Sequence, residues 1–236
     1  MAPTWILFGD AFSQALPLLA ALRARHGLGR ARLGILVWSV LLLGSNVLSY
    51  VLSSQRRNNH WLGYLFDPVM ASVLLWTFSL WQTQSVPRIA LRLLIPIFLV
   101  ATVTLTLTIE DLGSFSRITE TFTDLLLLGV SLYTLLIRSL AEQNQLTRAD
   151  WFWVSGAVAL FYGSDTALEP LARVLLNGRQ ELILVAFEVK AAIGIVVSLA
   201  IARGLLCHNP PLNSGGSSSL ASSPWSSSSR PSGQPS

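Results

Sequence analysis

The chain has one lysine, one cysteine and little charge of either sign. Only 12% of its 236 residues are charged, where a soluble domain carries about a quarter, so it lacks the polar surface that a water-soluble fold of this length requires. The single cysteine, Cys207, excludes an internal disulfide and a cysteine-based zinc site. The three histidines, His26, His60 and His208, are scattered over loops and ends, which argues against a histidine metal centre in the interior. No basic patch interleaved with aromatics occurs. The net charge of +4 therefore reads as topology and contact with anionic lipid, and nucleic acid is not an expected partner.

What is present is apolar. Hydrophobic residues make up 52% of the chain and the mean hydropathy is +0.55, the composition of a membrane protein. Runs of about twenty apolar residues, the length that covers roughly 30 Å of hydrocarbon, predict seven spans at about 3–22, 33–52, 61–81, 90–109, 116–137, 151–174 and 181–203. Nothing basic precedes the first run and its core carries Asp10 and Gln14, so it reads as a retained span, not a signal peptide. In the fourth, Thr102, Thr104, Thr106 and Thr108 alternate with apolar residues as a strand would. A lone strand cannot cross lipid, so a helix is expected there too.

Arginine bias orients the bundle. Arg23, Arg25, Arg30, Arg32, Arg88, Arg92, Arg138, Arg148 and Arg203 fall on one side, against Arg56, Arg57, Arg117, Arg173 and Arg179 on the other. The richer side is expected to be cytoplasmic. The expected fold is all-α, a polytopic seven-transmembrane-helix bundle, N-out and C-in, over residues 1–208. Residues 209–236, nearly all Ser, Pro and Gly, have too little to bury to repay their ordering entropy and are expected to form a disordered cytoplasmic tail. The expected location is a cell membrane, multi-pass, of the bacterial inner-membrane kind. Cys207 sits where a palmitoyl group could attach, and an unmodified interfacial thiol is the simpler expectation.

The polar residues within the spans carry the functional signal. Lys190, the only amine side chain, lies near the centre of the last span, where an ionisable group costs several kcal/mol without a partner or cavity and so marks a functional site by default. Counted from the external span ends at 1.5 Å per residue, Asp10, Asn46, Asp67, Asp124, Asp165, Glu188 and Lys190 all lie between about 9 and 14 Å deep. Six of the seven spans contribute to this slab. The cytoplasmic halves, from Ala15 to Leu22, Leu33 to Leu43, Ser72 to Leu80, Leu125 to Ile137 and Ala191 to Ala202, have no ionisable side chain. A carrier usually needs such groups on both sides of its central site. The chain therefore reads as a receiver with a one-sided, externally accessible pocket.

Spacing refines the set. Ser155, Tyr162, Asp165 and Glu169 form one helical stripe that should face the bundle, and Glu120 and Asp124 form another. Glu188 and Lys190 stand about 200° apart around their helix and cannot pair directly. Asp165, at matching depth on the preceding span, is the first choice of partner for Lys190. Five carboxylates exceed what one lysine compensates, so some must be protonated, hydrated or matched by a ligand cation. For Asp10, Asn46 and Asp67, structural hydrogen bonding is weighed as the slightly stronger reading. Asp67-Pro68 and Glu169-Pro170 each set a proline beside an acid, where a kink can free a backbone carbonyl.

Three resemblances accompany these residues. Asn58-Asn59-His60-Trp61-Leu62-Gly63-Tyr64, with Phe152-Trp153-Val154-Ser155-Gly156 and Leu160-Phe161-Tyr162-Gly163-Ser164, resembles an uncharacterised family of small bacterial seven-helix membrane proteins, which implies a fold and no activity. Lys190-Ala191-Ala192-Ile193-Gly194 and Gly163-Ser164-Asp165 are similar to elements of microbial rhodopsins, which implies retinal on Lys190 as a Schiff base. The chain departs from that pattern: Ala186 stands where the span-seven carboxylate belongs, and Glu188 or Asp67 would have to serve as counter-ion. Leu160-Phe161-Tyr162-Gly163-Ser164-Asp165 also resembles an element of membrane lysoplasmalogenases, implying water activation by Asp67 and Asp165. The residues themselves favour a non-enzymatic receptor or sensor. Its ligand or proton would enter from outside, and its output would pass to a separate cytoplasmic signalling partner.

Overall fold

In the computed structural model, which describes residues 4–24, 28–110, 118–141, 146–176 and 180–207, the first apolar run is not one helix. It forms α1 (Thr4–Ser13) and α2 (Leu16–Arg23). Pro17, in the first turn of α2, has no N–H for the Ser13 carbonyl, and its ring crowds that turn. The chain closes instead through a short bond from the Ala15 N–H to the Phe12 carbonyl, 3.1 Å. The single span expected over 3–22 is thus corrected to two helices meeting at Gln14 and Ala15.

The rest of the chain follows as α3 (Arg30–Ser54), α4 (Trp61–Trp81), α5 (Ser85–Thr108), α6 (Ile118–Ala141), α7 (Asp150–Leu176) and α8 (Gln180–Leu206), with a 3-10 turn at Leu146–Arg148 before α7. The described residues contain no strand. In α5 two of the threonines that alternate like a strand are housed by back-bonding: Thr104 Oγ1 donates to the Val100 carbonyl at 2.8 Å and Thr108 Oγ1 to that of Thr104 at 2.7 Å. At the end of α3, Arg56 takes a left-handed conformation (φ 56°). The Arg57 N–H then reaches Leu52 and the Arg56 N–H reaches Ser53, both at 2.9 Å, closing the last carbonyls in a Schellman turn.

Five of these helices are long and apolar enough to cross a membrane: α3, α4, α5, α6 and residues 185–206 of α8. The chain is an all-α protein with the make-up of a multi-pass membrane protein. α5 packs on α4 and α6 and leaves Ile89, Leu93, Ile97 and Val100 exposed in a continuous stripe, as a lipid-facing helix does. α7 is the inverse case. It lies against α6 and α8, with Val154, Ser155, Ala157 and Val158 buried together with the polar Asp150, Ser164 and Asp165.

Small residues set the closest approaches. Gly34 of α3 lies against the Thr77 hydroxyl of α4, and a Cβ there would overlap it. A Cβ on Gly204 of α8 would come within 2.8 Å of Val154 Cγ2 and 3.3 Å of the Asp150 carbonyl on α7. Gly204→Leu is expected to cost about 1–3 kcal/mol by overpacking, read as a lower unfolding temperature in detergent; an unchanged value would show that α7 and α8 separate freely there.

Candidate functional site

The last two helices bring the buried amine to an acid. Lys190 Nζ on α8 lies 2.9 Å from Asp165 Oδ1 on α7, joining the pair matched by depth in the sequence. The carboxylate side is the more enclosed, with the Asp165 side chain 11% exposed and that of Lys190 41%. Asp165 belongs to the α7 stripe, whose Ser155 and Tyr162 are likewise buried. The Tyr162 hydroxyl stands within electrostatic reach of Asp67, Asp124 and Asp165, acids carried by α4, α6 and α7. Asp124 itself is only 4% exposed.

A cavity of about 300 Å³ opens beside Lys190, between α1, α2, α3, α7 and α8. Asp10, Gln14, Asn46 and Lys190 line one part of it; Trp38, Leu42, Phe161, Val197 and Ile201 line another. The polar part is a chain of side chains built around the α1–α2 break. Asn46 Nδ2 donates to Gln14 Oε1 at 2.9 Å, and Gln14 Nε2 donates to Asp10 Oδ2 at a long 3.5 Å. The other Asp10 oxygen, Oδ1, is buried without a hydrogen bond and presses on Gly194, where a Cβ would overlap it. Asp10 also lies within electrostatic reach of Lys190. In the aromatic wall, Trp38 and Phe161 meet edge to face at 6.1 Å.

A second cavity, about 250 Å³, lies between α3, α4 and α6 and is lined by Asp67, Glu120, His60, Asn59, Ser49 and again Asn46, among others. Asn59 Nδ2 donates to Ser49 Oγ at 2.6 Å, tying the α3–α4 connection to α3. Nearby, Glu110, after the end of α5, accepts from the N–H groups of Ile118 (2.6 Å) and Thr119 (3.0 Å) and from Thr119 Oγ1 (2.6 Å). A carboxylate thus caps the α6 N-terminus, where the helix dipole favours negative charge.

The expected set is therefore divided. Lys190, Asp10 and Asn46 line the first cavity, with Asp165 paired to Lys190 but outside the lining, whereas Asp67, with Asn46 and Glu120, lines the second; Asp124 and Tyr162 lie in the bundle interior. Glu188 lines neither cavity and is partly exposed on α8. Glu169 falls on α7, but its side chain lies outside the described residues, as does the tail from 209 to 236. No group of three or more His, Cys, Asp or Glu able to hold a metal occurs among the described residues.

Sequence reasoning missed a second ion pair. Arg32 Nε of α3 lies 3.0 Å from Asp150 Oδ2 of α7, with the side chains 11% and 6% exposed. Asp150 Oδ1 also accepts from the Trp151 N–H at 2.8 Å. An acid directly before the Trp-Phe-Trp run was the available signal, a helix-start residue; its arginine looked like one more loop charge. Cys207, after α8, is 5% exposed. Burial raises its thiol pKa, against a smaller lowering by Arg203, which keeps it protonated and a poor nucleophile.

No protein-family profile, curated protein or solved structure matches this chain. Its function is to be argued from its own residues.

Proposed function

We propose that the protein is a receptor or sensor of the cell membrane: a seven-helix bundle with an external N-terminus, in which α1 with α2 makes the first crossing and α7 the sixth. The observation that carries this reading is the Lys190–Asp165 pair, with Lys190 in the wall of a cavity and the opposite halves of the spans free of ionisable groups apart from the ends. A small ligand, proton or ion arriving from outside would compete for the charges around Lys190. Any state in which the pair is loosened then gains by the difference in ligand affinity, and α7 and α8 shift at their cytoplasmic ends. The arginine-rich loops at that side would offer the docking surface for a signalling partner.

The reading is tested by following unfolding temperature against external pH and added ligands. The wild type is expected to respond, and Lys190→Met and Asp165→Asn to lose the response. An identical response in all three would reduce the pair to a structural tie.

One observation favours a second reading, a retinal-binding opsin. Lys190 enters a cavity walled by Trp38 and Phe161, and an acid lies at the nitrogen as a Schiff-base counter-ion would. Purification with all-trans retinal should then give a visible absorbance band that disappears in Lys190→Ala; a colourless wild type removes this reading. The hydrolase reading has less support, since Asp67 and Asp165 line no common cavity among the described residues.

A further inference from the structure

The cavity beside Lys190 is polar at one end and apolar at the other. Its lining on α8 runs from Phe187 to Ile201, fourteen steps or about 21 Å of helix, so it is elongated along the bundle. The polar end holds Asp10, Gln14, Asn46 and Lys190. Beyond these, the wall is mainly apolar, with Trp38, Leu42, Phe161, Val197 and Ile201; of its two serines, Ser198 lies beside Val197 and the Ser39 hydroxyl is committed to the Ile35 carbonyl at 2.9 Å. At about 300 Å³ the space lies at the small end of ligand pockets. A long, narrow space of this kind suits one alkyl chain better than a bulky ring system.

Charge selects the head. The ionisable groups in the lining are Asp10 and Lys190, and the Lys190 ammonium already stands 2.9 Å from Asp165. One positive charge therefore faces two carboxylates. Asp10 Oδ2 holds only a long 3.5 Å bond from Gln14, and Oδ1 is enclosed against Gly194 without a hydrogen bond, so the carboxylate in the cavity wall is an under-satisfied acceptor, which is costly when buried. An anionic head would add like charge beside Asp10. A cationic donor would complete the set.

We propose that this cavity binds a single-chain amphiphile with an ammonium head, the head on Asp10 and the Asn46–Gln14 amides, the chain along Trp38, Phe161 and Ile201. This names the ligand class of the receptor proposed above and rests on that reading.

The test uses the full chain in phosphatidylcholine nanodiscs, titrated with decylammonium carrying a bromine at its chain end, a quencher of tryptophan fluorescence. A saturable quenching component is expected, and it should vanish in Trp38→Phe, since Trp38 lies beside the chain path. The equally brominated decanol and decanoate should bind at least about tenfold more weakly, the difference one charge-assisted hydrogen bond makes. Asp10→Asn should bring the ammonium down to the level of the alcohol while leaving the alcohol unchanged, which also reports that the variant is folded. Gly194→Ala, which displaces the Asp10 carboxylate without altering charge, should do the same. Titration at two lipid-to-protein ratios separates the routes of arrival: the midpoint follows mole fraction in the bilayer for a ligand from the leaflet, and aqueous concentration for one from the water. Both results are compatible with the head and chain assigned here.

Equal binding of the three heads, or an ammonium preference that survives Asp10→Asn, overturns the ammonium assignment and leaves the cavity as a ligand site of another class. Quenching that never saturates, or that persists in Trp38→Phe for all three, overturns the ligand site itself.

Discussion

Replacing Arg32 with methionine is expected to lower stability by about 3–5 kcal/mol, the cost of leaving a buried partner charge uncompensated. Arg32 and Asp150 are both largely buried and 3.0 Å apart, so removing the guanidinium leaves the enclosed Asp150 carboxylate without the cation that lies on it. Asp150→Ala should be at least as damaging. It strands the arginine and also removes the acceptor of the Trp151 N–H, a helix-capping bond worth about 1 kcal/mol. Asp150→Asn keeps an oxygen for that bond and loses only the charge, so it should fall between wild type and Asp150→Ala. Denaturant unfolding in detergent, followed by tryptophan fluorescence, gives the order. If Arg32→Met unfolds within about 0.5 kcal/mol of wild type, the usual spread of surface substitutions, the pair does not hold the helices together.

The second large effect is at Lys190. Lys190→Met leaves Asp165 enclosed, with 11% of its side chain exposed, but the lysine itself is two-fifths open to its surroundings. The expected loss is therefore about 2–3 kcal/mol, below the range for a fully enclosed pair. A double-mutant cycle separates the pair from the side chains: Lys190→Met with Asp165→Asn should recover at least half of the loss, because the amide needs no counter-charge. Strict additivity of the two single changes would show that amine and acid do not interact energetically. The same proteins serve the pH and ligand titrations, so stability and response can be compared variant by variant.

Helix content and placement were legible in the sequence because apolar runs have to match bilayer thickness, and α4 falls on the same bounds, 61–81, that its run predicts. Asp165 as partner for Lys190 was legible for a related reason: position along two consecutive helices is arithmetic, and the nitrogen and oxygen it matched lie 2.9 Å apart. The break before Pro17 was not, since a proline in an apolar run reads equally as a kink or as a first-turn residue, and tertiary packing decides. Nor could spacing tell which face of α8 Glu188 would take relative to the cavity, because that depends on how α8 is rotated against α1 and α7. The aromatic wall of Trp38 and Phe161 was hidden differently. Its residues are unremarkable in composition and become a cavity wall only when α3 and α7 meet.

One feature of α7 reaches beyond either ion pair. Both acids, Asp150 and Asp165, stand on this one helix, fifteen residues or about 22 Å apart, and their cations come from different neighbours, α3 and α8. α7 is thus a rod pinned at two points to separate supports. Undoing the Lys190 pin leaves α7 tied to α3 at the Arg32 end, so the relative shift proposed for α7 and α8 there is expected to fall on α8.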